Sequence, residues 1–151
     1  MASRSSNSSR KSEISSSEYR TLSEFRRQLS AFLKRRRQAA ESAGLEAQQY
    51  EFLLALKGLP DGEQPNIKQI AQQLLLKHHS AVELASRLER RGLVRRRRSP
   101  HDRRAVLLSL TRTGDKMLEQ VAQYSFSQLR LEAPDLLRSL RRLLKPKAAL
   151  K

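Results

Sequence analysis

The sequence predicts a mostly α-helical chain carrying one small β-hairpin. Apolar residues recur three and four apart along most of its 151 residues, as in helices with one buried face. Only past Gly92 does the spacing change to alternation, over two short segments. Glycine and proline are few, and they cluster between the periodic stretches, chiefly from Gly58 to Pro65.

Each element has its own justification. Residues 1–17 hold nine serines and little apolar surface beyond Ile14, which predicts a disordered tail, and residues 146–151 read the same way. A first helix fits residues 18–43, with Leu22, Phe25, Leu29, Phe32 and Leu33 at helical spacing and Gly44 as its end. A second fits Glu46 to Lys57, with Phe52, Leu53 and Leu56 on one side. Asn66 followed by Gln69 predicts a capping box for a third helix carrying Ile67, Ile70, Ala71 and Leu74. In the fourth, Ala81, Leu84, Ala85 and Leu88 form a clean apolar face. Its start is open, either at Lys77 or His78 or at a Ser80–Glu83 capping box. Gly92 ends it, with Arg90 and Arg91 in the last turn, where cations suit the helix dipole.

Leu93 to Arg98 and Ala105 to Leu110 then predict two strands, the second with Val106, Leu108 and Leu110 on its more apolar face. Thr111 is expected to cap a long helix reaching about Leu131. Pro134 breaks that pattern, and Leu136, Leu137, Leu140, Leu143 and Leu144 mark a final amphipathic helix.

Charge narrows the function. Lys and Arg number 31 against 15 Asp and Glu, a net +16, which points to a polyanionic partner. From Arg87 to Arg104, nine arginines stand against Glu89 and Asp102, a net +7 within eighteen residues. With no cysteine, disulfide scaffolds, Cys-ligated zinc and thiol redox sensing are excluded. No apolar run approaches the ~20 residues of a membrane span, and the serine-rich start lacks a secretory h-region, so a cytoplasmic protein with no membrane partner is expected. No phosphate loop, cysteine nucleophile or paired carboxylate suggests an enzyme.

The order helix, tight turn, helix and basic hairpin carries the chemistry. If the third and fourth helices bury their apolar faces together, the fourth presents Lys77, His78, His79, Ser80, Val82, Glu83, Ser86 and Arg87 outward. In a helix-turn-helix the second helix enters the major groove with its N-terminal residues toward the base edges. Four consecutive arginines, Arg95 to Arg98, put two on each strand face, which suits a wing gripping backbone or minor groove better than a strand packed on a core. His78 and His79 are adjacent and point about 100° apart on a helix, without an acidic or cysteine partner nearby, so no metal site is expected.

From about Leu45 to Leu118 the chain resembles the MarR family of winged-helix transcriptional regulators. The resemblance rests on Ile70-Ala71-Gln72-Gln73-Leu74 and on Leu88-Glu89-Arg90-Arg91-Gly92-Leu93-Val94. It continues through Arg98, Asp102 and Arg104 to Leu110-Thr111-Arg112-Thr113-Gly114. It implies a winged helix-turn-helix over about residues 45–110, within a family-like region of residues 18–145. The helices at 18–43 and 111–145 would form a dimerisation region. It further implies a homodimer on an inverted-repeat operator in double-stranded DNA, acting as a repressor. DNA contacts would come from Lys77, His78, His79, Ser80, Val82, Glu83 and Arg87 on the helix, and from Arg95, Arg97, Arg98, Asp102, Arg103 and Arg104 in the wing. Asp102 would hold Arg104 or a neighbouring arginine in place, and the family's motif position for the minor-groove arginine is Arg104.

The chain departs from the family pattern at two places. Many relatives have an N-capping Asp or Ser where Lys77 stands. Glu83 is acidic on the DNA face, and three readings are open: pairing with Arg87, accepting from cytosine N4, or capping the turn at Ser80. The resemblance also implies a small phenolic or aromatic ligand between the dimerisation helices and the winged domain, with Arg26, Arg27, Tyr50 and Tyr124 as conceivable polar groups, and it implies no cofactor. The rival class is a basic RNA-binding or architectural protein. Stacking modules need exposed aromatics, whereas aromatics are 5% here and Phe25, Phe32 and Phe52 fall on core faces.

Overall fold

The structure is a computed structural model that describes residues 13–63, 65–102 and 104–145. In chain order it contains α1 (Ser16–Ser42), α2 (Ala47–Lys57), α3 (Ile67–Gln73), α4 (His78–Arg90), β1 (Val94–Arg98), β2 (Val106–Leu110) and α5 (Arg112–Leu144). The mostly helical class with a single hairpin is the one the spacing predicts. No helix among the described residues is long and apolar enough to cross a membrane.

The first helix begins earlier than composition suggests. Ser15 caps it, its hydroxyl accepting from the Glu18 amide at 3.2 Å while Glu18 accepts from the Ser15 amide at 2.7 Å. That reciprocal cap places Ser16 and Ser17 inside α1, so the predicted tail to residue 17 is too long. Residues 1–12 and 146–151 lie outside the described residues.

A second correction concerns Pro134. It sits inside one continuous helix, α5, rather than between two. Proline removes a helical hydrogen bond, but α5 is held along α1 on both sides of it. Arg35 pairs with Glu132, and the buried Ser139 hydroxyl donates to Gln28 Oε1 at 2.9 Å. These long-range contacts override the local break.

The core is centred on α2 to α4 and the base of the hairpin. Phe52, Leu53, Ile70, Leu84, Leu88, Leu93, Val94, Leu108 and Val121 are fully enclosed. Each such side chain contributes ~1.5–3 kcal/mol over leaving it in water. The predicted apolar side of α2 is broader than one stripe, because Tyr50 and Gln49 are buried along with Phe52, Leu53 and Leu56.

Two similar turns set the ends of α4. Before it, α3 closes with the Leu75 amide on Gln72 O at 3.3 Å and the Leu76 amide on Ala71 O at 2.9 Å, with Leu75 at φ 54. After it, Gly92 (φ 69) donates to Glu89 O at 2.9 Å and Leu93 to Leu88 O at 3.0 Å. Both are Schellman closures. Glycine supplies the left-handed residue at no steric cost in the second, whereas a leucine supplies it in the first.

Asn66 caps α3, accepting from the Gln69 amide at 2.9 Å, but the Gln69 side chain donates to Glu63 rather than completing the expected box. Asn66 also pairs with β2: it bridges Leu107, and the Leu108 amide donates to Pro65 O at 2.7 Å. β2 is thus pinned between β1 and the chain entering α3. There Leu107 and Leu108 are both buried, so the single-faced alternation expected of this strand fails.

Thr111 caps α5 as predicted, accepting from the Gly114 amide at 3.0 Å and donating to Gly92 O at 2.6 Å. Gly114 is required by space: a Cβ there would sit 2.1 Å from the Leu93 carbonyl oxygen. The Leu-Thr-x-x-Gly pattern therefore seats the long helix against the turn that follows α4.

Candidate nucleic-acid interface

α4 starts at His78 with Lys77 as its N-cap, and Lys77 makes no side-chain cap. Ser80 lies within the first turn, so the Ser80–Glu83 box is not the start of this helix, and Glu83 does not cap it. Ala81, Leu84, Ala85 and Leu88 face inward. The opposite face leaves Lys77, His78, His79 and Glu83 exposed and Ser80, Val82 and Arg87 half-buried. Among the described residues no group of three metal-ligating side chains comes together.

Arg87 does not pair with Glu83. Its guanidinium points at Glu46 beside the start of α2, 3.7 Å away. A neighbour, Arg91, donates from Nη1 to Gln49 Oε1 and from Nη2 to Gly44 O, both at 2.6 Å. The C-terminal half of α4 is thereby tied to the corner between α1 and α2. Arg91 lay outside the sequence-derived set because its partners are more than forty residues away.

The hairpin pairs Arg95 with Ser109, Arg96 with Leu108, Arg97 with Leu107 and Arg98 with Val106. Arg95, Arg97 and Arg98 are exposed. Arg96, between them, turns back to α4. It donates from Nη2 to Val82 O at 3.3 Å and to the Ser86 hydroxyl, while its backbone amide donates to Glu89 Oε2 at 3.1 Å. Its Nε lies 3.8 Å from the same carboxylate. So one of the four arginines fastens the wing to the flank of α4 and three remain free of that task. Sequence reasoning grouped Arg96 with the wing arginines that grip phosphate, and the only available sign of its different task was its register: Arg96 falls on the same strand face as the buried Val94.

The tip is compact. Ser99 is buried and its hydroxyl accepts from the His101 and Asp102 amides at 3.3 and 3.4 Å. Asp102 Oδ1 accepts from the Arg104 backbone amide at 2.9 Å. Asp102 therefore holds Arg104 through its main chain, and the Arg104 side chain is exposed. Arg103 lies outside the described residues.

A groove of about 400 Å³ opens between the start of α3, α4 and the wing, lined by Asn66, Ile67, Lys68, His78, Val82, Arg96, Asp102, Arg104, Ala105 and Val106. It brings His78 and Val82 from the helix together with Asp102 and Arg104 from the tip. Lys68 is an addition that sequence reasoning missed, since it precedes the predicted recognition segment. Such a surface offers cations to phosphate and mixed donors and acceptors to base edges.

A separate cavity of about 290 Å³ lies between α1 and α5, lined by Gln38, Ala39, Ser42, Ala43, Gln120, Val121 and Tyr124. Of the four conceivable ligand-binding groups, only Tyr124 reaches it. Tyr50 is buried, with Arg36 5.8 Å above its ring. Arg27 is exposed on α1 and bonded to Glu24 at 2.7 Å, a pairing that lowers the Glu24 carboxyl below its ordinary range and raises Arg27 above its own.

Residues 43–105 match the family model described as MarR family. The chain is 37% identical over 71 residues to the organic hydroperoxide resistance transcriptional regulator of Bacillus subtilis (strain 168). That stretch is 47% of this chain and 48% of the relative, so the chain spans about half the length of the curated relative it matches. By fold it is similar to AbsC, a MarR family transcriptional regulator from Streptomyces coelicolor, with a TM-score of 0.71 at 22% identity over 89% of this chain and 93% of that one. It is also similar to a MepR mutant from S. aureus bound to an oligodeoxyribonucleotide, with a TM-score of 0.62 at 22% identity over 87% and 97%.

Proposed function

We propose that this chain, whose residues 43–105 are MarR family sequence, is a DNA-binding transcriptional regulator and not an enzyme. It works in the cytoplasm as a homodimeric repressor on an inverted-repeat operator. The observation that carries this reading is the shared surface of α4 and the wing. His78 and Val82 line one groove with Arg96, Asp102 and Arg104, Lys77, His79, Arg95, Arg97 and Arg98 are exposed on the same two elements, and Arg96 holds those elements in fixed relation. α4 enters the major groove, where Lys77, His78, His79, Ser80, Val82 and Glu83 meet base edges and nearby phosphates. Arg87, already beside Glu46, reaches at most the backbone. The wing strand neutralises phosphates and Arg104, with Arg103 next to it, enters the minor groove.

The dimer reading draws on the arms. Leu22, Leu29, Leu33, Phe126, Leu129, Leu137, Leu140 and Leu144 are exposed on α1 and α5, apolar surface that a second protomer would cover. A two-fold pairing through these helices would set two recognition helices about one DNA turn, roughly 34 Å, apart. The cavity beside Tyr124 lies between the two arm helices, α1 and α5, and a small aromatic effector held there would release DNA by shifting them. A thiol route to hydroperoxide is closed, because the chain has no cysteine.

Selection of bound sequences from random DNA at physiological salt tests the reading. An inverted repeat with half-sites about a turn apart is expected. Recovery of no motif, with binding that only tracks salt, would replace it with a non-specific basic nucleic-acid-binding protein.

A further inference from the structure

Glu83 is out of keeping with its surroundings. It stands in the second turn of α4, exposed, on the face opposite Ala81, Leu84, Ala85 and Leu88. The chain carries a net +16, yet this carboxylate lies in the middle of the surface that would meet phosphate. Its obvious cation does not neutralise it. Arg87, one turn on, is directed to Glu46. Arg96 is spent on the other flank, against Val82, Ser86 and Glu89. Among the described residues no hydrogen bond or ion pair reaches Glu83.

A bare carboxylate on a DNA-facing helix weakens binding to any sequence unless it finds a donor, because it is repelled by the backbone and loses water on entering the groove. In the major groove the donors are the amino groups of cytosine and adenine, while guanine and thymine present acceptors. Adenine sets its N7 acceptor beside the amino group, and N7 would oppose a carboxylate. Cytosine N4 carries no such neighbour on its own base. Resting on the DNA-binding reading, we propose that Glu83 is a specificity-determining residue. It accepts a hydrogen bond from the N4 amino group of one cytosine in each half-site and disfavours sequences that offer an acceptor there.

The test selects bound sequences from random DNA with the unsubstituted protein, Glu83→Ala and Glu83→Gln at one salt concentration, with thermal melts as controls. The unsubstituted protein is expected to restrict one position of each half-site to cytosine, discriminating against guanine there on the order of ten- to a hundredfold. Glu83→Ala relaxes that position alone, its affinity for random DNA rises, and its melting temperature holds because the residue is exposed. Glu83→Gln moves the preference to adenine, whose N6 and N7 suit an amide. A motif left unaltered by both substitutions, or altered at positions with no cytosine preference, overturns the assignment while the regulator reading stands. A protein that selects no motif before substitution overturns the regulator reading, and this assignment with it.

Discussion

The winged part and the helical arms are stabilised in different ways. In α2, six of eleven residues are buried, and α4 buries a complete apolar stripe. In α1, 27 residues long, only Ala40 is buried, and in α5 only Gly114, Leu118, Val121 and Ser139 are. The arms make polar contacts, Arg35 with Glu132 and Gln28 with Ser139, while Leu22, Leu29, Leu33, Leu129, Leu137, Leu140 and Leu144 remain exposed. The winged part closes its own core. The arms leave apolar surface uncovered, which the proposed pairing with a second protomer would bury.

The largest effect that separates the two regions is expected at Phe52, which is wholly enclosed. Phe52→Ala should cost ~3–5 kcal/mol in urea unfolding, at every protein concentration. A loss under ~1 kcal/mol would show that the winged core is loosely packed. In the arms, Leu137→Glu with Leu140→Glu places two charges on the exposed stripe. Losing two leucines from a buried seam, at ~1.5–3 kcal/mol each, weakens association by roughly a hundredfold or more. Sedimentation at micromolar protein should then show a monomer that still melts cooperatively. An unchanged sedimentation profile would mean that this stripe is not the seam.

Arg96 joins α4 to the wing and sharpens the comparison from inside the winged part. Arg96→Met removes its hydrogen bonds to Val82 and Ser86 without touching the enclosed core. DNA affinity measured by fluorescence anisotropy should fall about tenfold, the equivalent of one charged hydrogen bond. The loss should concentrate in the preference at the flanking minor-groove positions. A uniform loss across all positions would count against a fastening role. The smallest effect is a gain. Leu75 is almost fully exposed at φ 54, so Leu75→Gly should relieve left-handed strain and raise stability by about 0.5–1 kcal/mol, read as a higher melting temperature. A drop would show that the Leu75 side chain is held by something outside this chain.

Much of the winged part was legible because its signals are local. The stripe Ala81, Leu84, Ala85 and Leu88 predicts a buried face, Gly92 a left-handed cap, and Thr111 with Gly114 the entry to α5. Each depends on residues within a turn or two of one another. The candidate site was legible only as a segment. Which of its side chains remain free was not, because that depends on distant partners. Arg87 is drawn to Glu46 and Arg91 to Gln49 and Gly44, and Arg96 is drawn to the flank of α4. A run of four arginines looks uniform until the register puts Arg96 on the face of Val94.

The same division accounts for the misplaced ends. Ser16 and Ser17 look disordered by composition, yet a cap at Ser15 draws them into a helix. Pro134 looks like a break, yet α1 alongside carries the helix through it. The sequence by itself determined the order of elements, the mostly helical class, the basic wing and the family likeness, because periodicity, caps and charge density are properties of neighbouring residues. Tertiary structure alone decided which arginines are committed, that Leu107 is buried, and that Glu83 meets no cation among the described residues. A charge finds its partner through distance in space, and the chain brings together there residues that it keeps tens of positions apart.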